Sequence, residues 1–332
     1  MAKVFYHFDD DGRCAAAIVK RELINVFDTV SKEDFIEYGH SGTLELPELK
    51  LNEVVYIVDL ALDDTIISLI KHCISQGSRV YHIDHHKTGI EKYETVKDEF
   101  NANYVPFFNT MVSGCMLTWI FAAMTPEERL HPNDVKFDFA DDWSHFALNY
   151  DESDISTLRE YFIPPAIRYI DDNDVWRHAI PETKYFSLGF KTADDKHPMS
   201  KTWDDVIYNN QKTVYDYVNA GNIIWNYQET LYKKAMYNAF DFEFEGKKIR
   251  CVNMPIGNAT LFGDAYNEYD AVCKYSYNGG AGHWIYIFYS REDGGADVAD
   301  IVNKLGKEHD GISYGGHEHA AGMHLKKNIF QQ

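Results

Sequence analysis

Apolar and polar positions change rhythm along the chain. In the first part, short apolar runs alternate with helix-patterned stretches: Lys3–Tyr6, Val54–Val58 and Arg79–Ile83 read as strands. "VVYIV" at 54–58 is a continuous apolar run, the mark of a strand buried on both faces. Arg13–Asn25 and Asp63–Gln76 read as helices, the second with Gly77 as its stop. This β-α-β rhythm predicts a mainly parallel sheet flanked by helices. Ser113–Met124 predicts a further helix. Thr125–Ser156 is polar and acidic and reads as an irregular surface insertion, and Pro164–Ile170 as a short helix leading into "DDNDVW". Charges, Pro198 and the loss of periodicity over 192–202 predict a linker, followed by a long connecting helix over Trp203–Asn238. Beyond it, 240–244, 248–253, 270–277 and 284–289 read as strands, with "YNGGAGHW" as a hairpin turn between the last two. Ala296–Leu305 reads as a helix closed by Gly306. The expected fold is α/β in two domains: a larger domain over 1–191, a linker and connecting helix over 192–238, and a smaller α/β domain over 239–332.

Composition fits that division. A chain of 332 residues exceeds one ordinary core, and a hydrophobic content of 45% can fill two. No apolar run is long enough to span a bilayer, and the opening "MAKVFYHFDDDG" lacks a signal-peptide pattern. The expectation is a cytoplasmic protein with no membrane partner. The five cysteines are scattered without a C-x-x-C pair and are expected to be buried free thiols. The net charge of −20 repels long polyanions, so a long duplex nucleic acid is not an expected partner. A mononucleotide or dinucleotide remains compatible, because a metal site overcomes the global charge at short range.

Ligands of an open α/β sheet gather at the carboxyl ends of its strands. The first predicted strand ends in "HFDDDG", offering His7, Asp9, Asp10 and Asp11; the second ends in Asp59; the third ends in Asp84, His85 and His86. Each piece alone is ordinary: an acidic triplet is usually a solvated turn, and an aspartate after a strand is often a helix cap. Together they would place many carboxylates and imidazoles in one crevice. Without cations those carboxylates would repel one another. Carboxylate with imidazole suits Mn²⁺, Fe²⁺, Co²⁺ or Zn²⁺. The donors outnumber the needs of one ion; two ions roughly 3.5–4 Å apart, bridged by a shared carboxylate, would use them all.

Five motifs in order resemble the DHH phosphoesterases that carry a C-terminal DHHA1 domain: "HFDDDG", "VDLAL", "DHH", "YIDDNDVW" and, at 315–322, "GGHEHAAG". The resemblance implies an active site in the cleft between the two domains, with two divalent ions, expected to be Mn²⁺. It assigns His7 and Asp9 to one ion and Asp11, His85 and Asp172 to the other, with Asp59 as the bridge. Asp172 is chosen over Asp171 by its spacing to Trp176. His86 would contact the scissile phosphate and Asp84 would orient the histidines. Gly315, Gly316 and His317 would bind the far end of a nucleotide, with Arg291 reaching a substrate phosphate. The chain departs from the family in having only two glycines before His317 and in carrying Tyr289 before Ser290, where many members have Arg-Ser. The implied activity is hydrolysis of short oligonucleotides or dinucleotides by a metal-activated water, most like the nano-RNase group. Adenosine 3′,5′-bisphosphate phosphatase and di-adenylate phosphodiesterase activities are the alternatives. A single-strand exonuclease and a non-catalytic nucleotide-binding regulator fit less well, and homodimerisation is left open.

Overall fold

The computed structural model describes residues 2–24, 30–39, 44–50, 53–149, 159–209 and 211–330. The chain divides into two compact units, Met1–Ile224 and Trp225–Gln332.

The first unit is built on five parallel strands: β1 (Ala2–His7), β2 (Phe35–Tyr38), β3 (Val54–Val58), β4 (Arg79–Asp84) and β5 (Tyr104–Phe108), in the order β2-β1-β3-β4-β5. Helices α1 (Asp10–Ile18), α2 (Asp64–Ser75), α3 (Lys87–Val96) and α4 (Gly114–Ala123) follow β1, β3, β4 and β5 in turn. Successive strand residues point to opposite faces. Phe5, Val55, Ile57 and Val80 share a core with Ile66, Leu69 and Ile70 of α2. Val4, Tyr6, Val58 and Ile83 share another with Cys14 and Ile18 of α1 and Leu117 and Phe121 of α4. Both faces are covered, which is why β3 has no polar alternation. β1 has β2 on one side and β3 on the other, so the strand order reverses at β1 and opens a crevice at the carboxyl ends of β1 and β3.

Several expectations are corrected. The helix predicted over 13–25 starts at Asp10 and passes after Ile18 into a π-turn, Val19–Leu23; Asn25 lies outside the described residues. The 125–156 segment is not irregular. Strands β6 (Lys136–Phe139), β7 (His145–Asn149) and β8 (Arg159–Phe162) form an antiparallel sheet, while 150–156 lies outside the described residues. Among the described residues one face of that sheet is covered, through Phe146 and Leu148, so apolar and polar residues alternate along its strands. Residues 192–202 belong to the first unit: Lys196 Nζ meets Asp10 at 2.8 Å, and the buried Trp203 donates from Nε1 to the Lys196 carbonyl at 3.0 Å. Their charges serve bonds back to the unit. Finally, α5 (Pro165–Asp174) is one turn longer than predicted and carries the acidic run on the helix itself; α6 (Thr183–Phe190) follows. The predicted connector is a π-turn, Asp204–Asn209, and a helix, Gln211–Tyr237.

The second unit holds a mixed sheet in the order β13-β14-β12-β11-β10-β9. Its strands are β9 (Phe240–Phe244), β10 (Lys247–Asn253), β11 (Ala271–Asn278), β12 (His283–Tyr289), β13 (Ser313–His317) and β14 (Ala320–Leu325). The helix Val298–Glu308 packs Val298, Ile301, Val302 and Leu305 into a core with Tyr286, Phe288 and Met323. That helix runs past Gly306, which is not its stop. A Cβ at Gly306 would lie 2.4 Å from the Tyr314 ring, so the glycine lets β13 approach. All five cysteines are buried and free. No described helix is long and apolar enough to cross a membrane.

Candidate metal centre

β1, β3 and β4 deliver donors to the crevice where the strand order reverses. Asp59 comes first, because its backbone is special. Its N–H still bonds to the Ile83 carbonyl at 2.9 Å, continuing the ladder, but its φ is +56°, a left-handed conformation that costs a non-glycine residue about 1–3 kcal/mol. The turn aims a carboxylate that is 1% exposed into the crevice, and neither of its oxygens has a hydrogen-bond partner. Oδ2 faces His7 Nδ1 at 3.8 Å, and Oδ1 faces His85 Nε2 at 3.3 Å.

The other donors are firmly held. Asp9 caps α1, accepting from the Gly12 N–H at 2.9 Å, while its other oxygen meets His7 Nδ1 at 2.7 Å. Buried Asp11 accepts from the first N–H groups of α4, Gly114 at 2.7 Å and Cys115 at 2.9 Å. Gly114 is needed there: a Cβ would sit 2.7 Å from Asp59 Cβ. Asp84 holds His86 by its Nδ1 at 2.7 Å, leaving Nε2 as the free ring nitrogen of that bond. Behind them, buried His82 spans from the Tyr104 hydroxyl to the Leu60 carbonyl, 2.8 Å to each, bracing the chain just after Asp59.

Asp172 does not join the cluster. Its oxygens accept from the Ala179 N–H (2.8 Å), the Ile180 N–H (3.1 Å) and the Thr183 hydroxyl (2.6 Å), so it closes the turn between α5 and α6. Asp171 is also committed, to the Ser113 N–H at 2.7 Å and to Arg177 at 2.8 Å. The aspartate of this motif that reaches the cluster is Asp174, whose Oδ2 lies 3.4 Å from His85 Nε2. The reason is helical geometry. Successive helical side chains diverge by about 100°, so residues two apart, such as 172 and 174, point to nearly opposite sides of α5. Had the helix been extended through the acidic run, its i, i+3 face would have paired 171 with 174 and set 172 apart.

Three donor groups result, each with ligand atoms within 4.8 Å of one another: His7, Asp9 and Asp59; Asp11, His85 and Asp174; Asp59, His85 and His86. Such clusters can hold metal ions, and the electrostatics fit. Burial, and then the charges of Asp11, Asp9, Asp84 and Asp174, hold the Asp59 carboxyl well above the usual range. Asp174 is pushed up to about 8, by burial first and then by Asp11 and Asp9. Burial would also raise Asp84 and Asp9, but hydrogen bonds and charge from His86 and His7 reverse it, and both lie below the usual range. The His86 ring is raised by its bond to Asp84. A buried, unpartnered carboxylate surrounded by like charge is what a divalent cation relieves. Asp10 stays apart, paired with Lys196.

In the second unit, Gly315 and Gly316 have φ of +147° and +149°, backbone that favours glycine, and a Cβ at Gly316 would meet the Ala321 Cα at 2.5 Å. His317 ends β13 exposed to solvent. The loop after it is stitched to the end of β12. The Ser290 N–H donates to the His319 carbonyl at 3.1 Å, and the Ser290 hydroxyl meets His319 Nδ1 at 3.1 Å. Arg291 follows that stitch, half-buried, its Nε without a partner.

The chain matches no family model and no curated protein. Among solved structures it is similar to a pGpG-specific phosphodiesterase of Vibrio cholerae, with 12% identity over 98% of this chain and 93% of that one and a TM-score of 0.49. It is also similar to the DHH domain of a member of the s1p family of ribosomal proteins, with 14% identity over 98% and 83% and a TM-score of 0.48. A third is an exopolyphosphatase-related protein of Bacteroides fragilis, with 10% identity over 99% and 88% and a TM-score of 0.33. At these identities and superpositions the likenesses assign neither family nor activity. The residues have to.

Proposed function

We propose that the protein is a two-metal phosphoester hydrolase of the DHH/DHHA1 kind that cleaves dinucleotides and short oligonucleotides. One observation carries the reading: Asp59, buried and unpartnered, turns one oxygen toward His7 and the other toward His85. A carboxylate so placed would serve as a bridge between two seats. His7, Asp9 and Asp59 would hold one divalent ion; Asp11, Asp59, His85 and Asp174 would hold the other. The mixture of carboxylate and imidazole suits Mn²⁺. Such ions supply an acidified water and positive charge on phosphoryl oxygens. His86, tied through Nδ1 to Asp84, offers Nε2 to a non-bridging phosphoryl oxygen and stabilises charge that grows there. The "GGHEHAAG" strand pair would take the remote nucleotide, which favours a nucleotide over pyrophosphate.

The test is Asp59→Asn, followed by elemental analysis and turnover of a dinucleotide with Mn²⁺. Metal and activity should fall together, with metal dropping from two equivalents. An active variant with two full sites would remove the bridge. Substrate length is read from kcat/KM for adenosine bisphosphate, dinucleotides, short RNA and long single strands at two salt concentrations. Short substrates should lead, with a mild salt effect. Faster cleavage of long strands, with a slope of about −0.7 per neutralised phosphate, would favour an exonuclease.

A further inference from the structure

Beside the donor cluster lies a cavity of about 590 Å³ whose wall includes His7, His86, Leu62, Asp64, Thr88 and Lys92. That volume falls within the span of small-ligand sites, roughly 300–1,000 Å³. His7 and His86 bring it to the reacting centre, and the buried Leu62 gives it an apolar floor. Its one lysine, Lys92, projects from α3 and pairs with Asp64 Oδ1 at 2.9 Å; the two side chains are 39% and 90% exposed. Exposed pairs of this kind are weak and give way to a better partner. A phosphate brings two charges and three acceptor oxygens, and Thr88 adds a hydroxyl donor on the same wall. The donor cluster beside it is rich in carboxylates, so a second anionic group on the substrate needs a cation there.

We propose that Lys92 is a specificity-determining contact for a terminal phosphomonoester next to the scissile linkage, and that Asp64 is its built-in competitor. The inference rests on the hydrolase reading for its biological use, but not for its physical test. Affinities for adenosine 5′-monophosphate and for adenosine are measured by calorimetry on the full-length protein with Mn²⁺ present, for wild type, Lys92→Gln and Asp64→Asn. Asp64 is exposed and Lys92 partly so, and neither lies in a core, so both variants should fold. Lys92→Gln should weaken the monophosphate roughly tenfold relative to adenosine, the loss of one charge-assisted contact. Asp64→Asn should strengthen it, because Lys92 is released. A second arm compares kcat/KM for dinucleotides with a 5′-phosphate, a 3′-phosphate or neither. The wild-type preference for one phosphorylated form should shrink in Lys92→Gln through KM and grow in Asp64→Asn. Equal loss of both ligands, no change, or weaker binding in Asp64→Asn overturns the proposal. If the binding arm holds and no phosphoester is turned over, the hydrolase reading fails instead. Turnover without Lys92-dependent discrimination removes the Lys92 contact and leaves the hydrolase reading standing.

Discussion

Replacing Asp174 by asparagine should make the protein more stable at pH 8 when divalent ions are chelated. The Asp174 carboxyl lies near 8 in the folded protein against an ordinary value of 3.8. Between those values the folded state binds more protons than the unfolded one, so stability falls as pH rises through the window. At about 1.4 kcal/mol per pH unit the span is worth at most roughly 6 kcal/mol. The side chain is 26% exposed, and solvent screening should leave about half of that, ~3 kcal/mol, as the penalty at pH 8. Asparagine keeps the shape and removes the charge. It also relieves Asp59, which Asp174 helps to raise. The assay is denaturant unfolding with chelator at pH 5 and pH 8, for wild type and variant. Wild type should lose stability between the two; the variant should lose much less and be the more stable at pH 8. Added Mn²⁺ should invert the order, because the variant lacks a ligand of one of the two seats and gains less from the ions than wild type does. A chelated variant less stable than wild type at pH 8, or a wild type indifferent to pH over this range, would refute the reasoning.

Asp172→Ala should cost roughly 3–5 kcal/mol, because it strips the acceptor from two N–H groups and a buried hydroxyl. Asp172→Asn, which keeps an acceptor, should retain two equivalents of bound metal by elemental analysis, whereas Asp174→Asn should fall to about one. Gly114→Ala should lower Mn²⁺ affinity roughly tenfold with little change in circular dichroism, since its methyl would push on Asp59. His317→Ala should act mainly on KM, the mark of a remote contact made equally in ground and transition states; an unchanged KM would remove His317 from the substrate site.

The sequence alone determined the parallel sheet and much of the donor set. A strand covered on both faces is a continuous apolar run, so "VVYIV" announces itself, and donors at successive strand ends must meet at one edge. His7, Asp9, Asp11, Asp59 and His85, which the structure brings together, were all among the residues offered at those strand ends, alongside Asp10, which it sets apart with Lys196. The structure alone decided how Asp59 is turned, since a left-handed residue leaves no trace in side-chain pattern. It also decided which aspartate of "DDNDVW" faces the cluster. Three nearby carboxylates look alike in sequence, and only the helix phase and the competing donors at 113, 177, 179, 180 and 183 separate them. The same holds for Lys92. A lysine on an amphipathic helix reads as solvated surface, and only the packing of α3 beside the end of β3 sets it on the cavity wall with His7 and His86. Periodicity records which face of an element is covered; which polar group finds which partner is settled by close packing.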